Sequence, residues 1–111
     1  MIGFMFIFPE DVRWNDSEEA VEFDVRLGDY EGKVLVPRRV LQGLSGARLK
    51  AEKCIECFHL NRTNFEHIAE EKIRARQLDW DANIRVSARD LRLFGRRARG
   101  PIARKQEEPR P

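Results

Sequence analysis

Residues 20–27, AVEFDVRL, constrain this chain more than any other stretch. Val21, Phe23, Val25 and Leu27 alternate with Glu22, Asp24 and Arg26, the period of a strand with one buried and one wet face. Gly28-Asp29-Tyr30-Glu31-Gly32 then supplies turn residues, and Lys33 to Val36 returns with Val34 and Val36 pointing inward. The spacing predicts a β-hairpin with a five-residue connection. Phe4 to Phe8 reads as an earlier strand, apolar on both faces.

What must cover the buried side of that hairpin follows directly. Pro37 suits the first turn of a helix, where its missing N–H would be unpaired anyway. Val40, Leu41 and Leu44 give that helix an apolar side, and Gly43 with Ser45-Gly46 closes it. A long helix is expected from about Arg48 to Gln77. After the turn Leu78-Asp79-Trp80-Asp81, residues Asn83 to Val86 suggest a fourth strand. Ser87 then caps a short helix, with Asp90 three residues on as in a capping box. The order β-β-β-α-α-β-α predicts an α+β fold, a mainly antiparallel sheet with one long helix packed on a face.

At 111 residues the chain has room for one domain, expected over residues 1–94. Apolar residues make up 41% and charged ones 36%, a balance that needs no disulfide to close a core. The longest apolar run, IGFMFIF, stops at Pro9 and is far short of the roughly 20 residues that span a bilayer. It has neither a basic leader nor a cleavage site. A cytoplasmic protein without membrane contact is therefore expected, with reduced thiols. Residues 95–111 carry Arg96, Arg97, Arg99, Arg104, Lys105 and Arg110 against Glu107 and Glu108. This basic tail has little to bury and is expected to be disordered.

Both cysteines and both histidines fall in AEKCIECFHLNRTNFEH, residues 51–67. Wound at 100° per residue, Ala51, Cys54, Ile55, Phe58, Phe65, Ile68, Ala69 and Ile73 share an arc of about 140°. Cys54 lies near its middle and Cys57 at its edge, whereas His67 is nearly opposite Phe58. Cys57 and His67 are also about 15 Å apart along an unbroken helix. Zinc ligands must sit about 2.0–2.3 Å from the metal, so no metal site is expected. A redox Cys-x-x-Cys places its first thiolate at a helix N-terminus after a strand. Cys54 is instead inside a helix, between Glu52 and Glu56. Both thiols are expected to pack as small apolar groups.

Arg62 stands at the edge of the apolar arc between Phe58 and Phe65. It is expected to snorkel and pair with Glu66, four residues on, or with a strand carboxylate. The sharper alternative is a partly buried guanidinium that receives an anion or a partner's carboxylate, with His59 about 60° around the helix.

The pattern Phe58-x-x-x-Arg62-x-x-Phe65-x-x-x-Ala69-x-x-x-Ile73 follows Phe8-Pro9, Trp14, Ala20-Val21-x-Phe23, Gly32-x-Val34-x-Val36 and Val40-Leu41. In their order and spacing these resemble the bacterial family called domain of unknown function 1488, over about residues 6 to 92. The resemblance implies a compact α+β domain and carries over no activity, cofactor or catalytic residue.

No catalytic constellation is visible. Gly28 and Gly32 flank a turn, and Gly43 and Gly46 end a helix, so there is no phosphate loop. Ser17, Ser45 and Ser87 read as turn or cap residues. Asp79 and Asp81 flank Trp80 in a turn, where carboxylates are usually solvated. A non-enzymatic interaction or regulatory module without a cofactor is expected. Trp14 and Trp80, both placed in connections, are either lids over the core edge or interface anchors. The candidate interaction or anion site is Arg62, His59 and Trp14, facing a protein partner or a second copy. The alternative partner is nucleic acid, bound through Arg96, Arg97, Arg99, Arg104 and Lys105 by counterion release.

Overall fold

The computed structural model describes residues 5–95. The hairpin is its centre. Strand β3 (Ala20–Leu27) pairs antiparallel with β4 (Tyr30–Pro37) along its whole length, with Leu27 opposite Tyr30. The connection is therefore two residues, Gly28-Asp29, and not five. Gly28 at φ 60° adopts the left-handed conformation that lets so tight a turn follow the strand twist. Tyr30 and Glu31 extend the ladder opposite Leu27 and Arg26, and the Tyr30 ring lies across Gly32, leaving no room there for a side chain. The Tyr30 hydroxyl donates to the Ala82 carbonyl at 2.7 Å.

Two short strands share the other side of β3. They are β1 (Phe6–Ile7) and β2 (Val12–Asn15), both antiparallel to it. The sequence pattern missed β2, and Trp14, expected in a connection, stands in it opposite Val21. Pro9-Glu10 interrupts what would otherwise be one edge strand, since proline has no N–H for a ladder. At the far edge β5 (Ile84–Arg85) runs parallel to β4. The sheet is thus mixed, with three antiparallel pairings and one parallel.

Helix α1 (Arg38–Ser45) follows Pro37 directly and ends at Gly46, whose φ of 76° and N–H to the Gln42 carbonyl close it. The expected single helix from Arg48 to Gln77 is two: α2 (Ala51–Leu60) and α3 (Arg62–Arg74). The break is Asn61, at φ −122° and ψ 18°. Its side-chain amide donates to the Cys57 carbonyl at 2.9 Å and its N–H to Phe58 at 2.9 Å. A short amide side chain here competes with the helical ladder and ends it. Residues 88–95 form α4, where Ser87 Oγ accepts the Asp90 N–H and the Asp90 carboxylate accepts the Ser87 N–H, the reciprocal cap the spacing predicts.

Among the described residues the helices cover one face of the sheet. Val21, Phe23, Val25, Val34, Val36 and Ile84 point into a single core with Val40, Leu41, Cys54, Phe58, Phe65, Ile68 and Ala69. Phe58 is its centre, 4.9 Å from the Phe23 ring and 5.7 Å from that of Phe65.

The helix-free face is held by ions. Glu22 is only 7% exposed there, and its carboxylate accepts from Arg13 at 2.7 Å and Asn15 at 2.9 Å. Arg13 also donates to Asp24 at 2.7 Å, and Lys33 approaches both carboxylates. Burial alone would raise the Glu22 carboxyl, but Asn15, Arg13 and Lys33 outweigh it and hold it below 4.5. The Arg13 hydrogen bond holds Asp24 below 3.8. Asp90 is desolvated, yet Lys72 at 2.8 Å and the Ser87 N–H keep it below 3.8 as well.

These shifts fix the sign of the acid response. A carboxyl whose folded pKa is depressed stabilises the fold fully above its unfolded value and loses that contribution as pH falls through its folded value. Unfolding free energy is expected to be flat from neutrality to about pH 5 and to decline below it. Urea denaturation across pH checks this; Glu22→Gln with Asp90→Asn should shallow the acid slope, and an unchanged slope would refute the assignment.

Candidate interaction site

Arg62 opens α3, and all three of its guanidinium nitrogens are engaged. Nε donates to Glu66 at 2.8 Å, Nη2 to the Pro9 carbonyl at 2.8 Å and Nη1 to the Glu10 carbonyl at 3.3 Å. Its flat side rests over Phe23 and Phe58, 5.8 and 5.6 Å from the ring centres. The pairing with Glu66 is the one its spacing predicts. The bonds to Pro9 and Glu10 make it a clip that holds the interruption between β1 and β2 against the helices.

His59 and Trp14 do not join it. His59 is exposed near the end of α2, edge-on to Phe58 at 5.5 Å. The break at Asn61 puts it on a different helix from Arg62, so the 60° relation of one continuous helix no longer applies. Trp14 is half-buried, its ring under the Arg38 guanidinium at 5.0 Å and its Nε1 donating to Asp16 at 3.2 Å. No hydrogen bond, ion pair or ring contact links the three among the described residues.

Helix α2 runs unbroken through Cys54 and Cys57. The Cys54 thiol is buried 4.0 Å from the Leu49 carbonyl, and the Cys57 thiol lies 3.7 Å from that of Leu41. Burial pushes both thiols up, away from thiolate. His67 points elsewhere, edge-on to Phe94 at 6.2 Å. No group of three or more His, Cys, Asp or Glu suited to a metal occurs among the described residues.

A different residue is presented to solvent. Trp80 is 91% exposed, the most of any large apolar side chain described. Its loop is nevertheless tightly fastened. The Asp79 N–H donates to the Asn83 carbonyl at 2.9 Å and the Ala82 N–H to Asp79 at 2.8 Å. Tyr30 holds the Ala82 carbonyl, and the Lys33 N–H donates to the Asn83 side chain at 3.0 Å. Arg85 then reaches Asp79 at 3.1 Å, Asp81 at 3.1 Å and Glu18 at 3.1 Å. Those bonds hold the Asp81 carboxyl down at about 2. Asp79 and Asp81 are thus ion-paired rather than merely solvated. Asp-Trp-Asp in a turn was a visible signal; the anchoring from Tyr30 and Lys33, some fifty residues away, was not. The tail residues Arg96, Arg97, Arg99, Arg104 and Lys105 lie outside the described residues.

These features define a two-layer α+β domain with helices over one face of a mixed five-stranded sheet. Residues 6–86 match the family described as Protein of unknown function (DUF1488), and the chain belongs to that family. It is similar to the crystal structure of a protein of unknown function from the same family, from Shewanella loihica PV-4. That likeness has a TM-score of 0.69 at 23% identity, over 73% of this chain and 90% of the other, and shows a shared fold. No curated protein matches the chain. No helix of the described residues is long and apolar enough to cross a membrane.

Proposed function

We propose that the protein is a non-enzymatic interaction module whose protein partner packs against the loop of residues 78–83, with Trp80 as anchor. The observation that carries this is an almost fully exposed indole on a loop already ordered by its own hydrogen bonds. An aromatic side chain with few rotors, held in place before contact, loses little entropy when a partner covers it. Such residues dominate the energetics of interfaces. The alternative, nucleic-acid binding through the basic tail, draws no support from residues 1–94, which carry a net charge of −2.

A photoreactive amino acid at position 78, beside Trp80, tests the proposal in native cells. A discrete protein adduct is expected, lost when Trp80→Ser is added. No adduct, or one unaffected by that change, would overturn it. Trp80→Ser itself should leave stability within about 0.5 kcal/mol of the parent, while weakening the captured complex by about 2 kcal/mol or more. Thermal melts and titration with the purified partner read the two effects.

A further inference from the structure

A second surface lies on the helical layer. Leu44 and Ser45 of α1, Leu49, and Lys53, Cys57 and Leu60 of α2 line an open groove of about 350 Å³. Leu60 is 85% exposed and Leu44 40%, so the groove is rimmed by apolar groups that the fold leaves uncovered. Glu56 also lines it, paired to Lys53 at 3.3 Å, with both side chains more than half exposed.

The order of these residues says what covers them. Leu49, Lys53, Glu56 and Leu60 are separated by four, three and four positions. Leu49 stands just ahead of α2, whose N-cap is Lys50; within the helix reversal exchanges Lys53 for Glu56, and a leucine lies four positions beyond each. We infer that the groove is a two-fold interface with a second copy of this chain, α2 packed antiparallel on its mate. In that register Leu60 of each copy enters the Leu44–Leu49 groove of the other. Lys53 of each faces Glu56 of the other, with the pairs about 4.5 Å apart along the helix. Such an interface is isologous: one patch serves both sides and the assembly closes at two. A hetero-partner would need no such symmetry in this surface. The inference does not draw on Trp80, which lies on a separate loop.

The test is sedimentation equilibrium of the full chain over a concentration series, because a small interface associates weakly. The wild-type mass should climb from monomer towards dimer. Leu60→Asp should hold it at monomer. Lys53→Glu alone sets like charges opposite each other twice per dimer and should raise the dissociation constant about tenfold or more. The exchange Lys53→Glu with Glu56→Lys restores the complementarity and should restore the wild-type constant. All three side chains are exposed, and circular dichroism confirms that each variant keeps the fold. A wild-type chain that stays monomeric throughout would overturn the inference. So would association indifferent to Leu60→Asp, or a double exchange no better than the single change.

Discussion

Phe58→Ala is expected to lower the unfolding free energy by about 3–5 kcal/mol, the range for emptying a fully buried aromatic site. Phe58 is completely buried where both layers meet, between the rings of Phe23 on the sheet and Phe65 on α3. Its removal strips a ring contact from each neighbour and leaves the space under Arg62 unfilled, since the guanidinium lies over that ring as well. The neighbours cannot close the gap cheaply. Phe23 is fixed by its strand, and Phe65 by a helix that starts at the Asn61 break. Phe58→Leu keeps most of the apolar volume and should lose distinctly less. Urea titration measures both. A loss under about 1 kcal/mol for the alanine variant would mean that the core collapses around the site, contrary to the packing described.

Arg62→Ala is the second large effect, expected at about 2–3 kcal/mol from charge-assisted hydrogen bonds to partly buried acceptors. The change leaves the Pro9 and Glu10 carbonyls without their donor and Glu66 without its cation. It also uncovers Phe23 and Phe58. Arg62→Lys should recover only part of this, because one ammonium cannot span three acceptors in a fixed fork. Hydrogen exchange sharpens the reading, with protection lost first in β1 and β2. An Arg62→Ala chain with parental stability and parental exchange would show that the guanidinium is free for an external anion after all.

Much of the architecture was legible where a pattern was local and periodic. AVEFDVRL declared β3, Pro37 and Gly46 bracketed α1, and Ser87 with Asp90 declared the start of α4. The hydrophobic arc correctly named the core side of α2 and α3. It could not reveal Asn61, because the apolar spacing runs on across a break of a single residue. Strand β2 escaped for want of length: Val12 and Trp14 give only two inward positions. The parallel pairing of β5 depends on where three intervening helices deliver the chain, which no short-range pattern records.

The site was less legible for a related reason. Arg62, His59 and Trp14 were grouped by residue type and a helical wheel, but exposure decides availability. Arg62 and Trp14 are taken up by partners that only folding brings to them. In sequence Trp80 reads equally as a lid or an anchor and Leu60 looks ordinary; standing uncovered is what distinguishes them.

The fastening of the sheet borders sets an order of assembly. The Pro9 carbonyl is held by a residue 53 positions later, and Ala82 and Asn83 are held by residues 52 and 50 positions earlier. Closing loops of that length is entropically unfavourable until other contacts have drawn the ends together. The central hairpin can form by itself, whereas both margins must wait for the helices to arrive. The loop that presents Trp80 is one of those margins, so the indole is held in its final position only after the rest of the domain is complete.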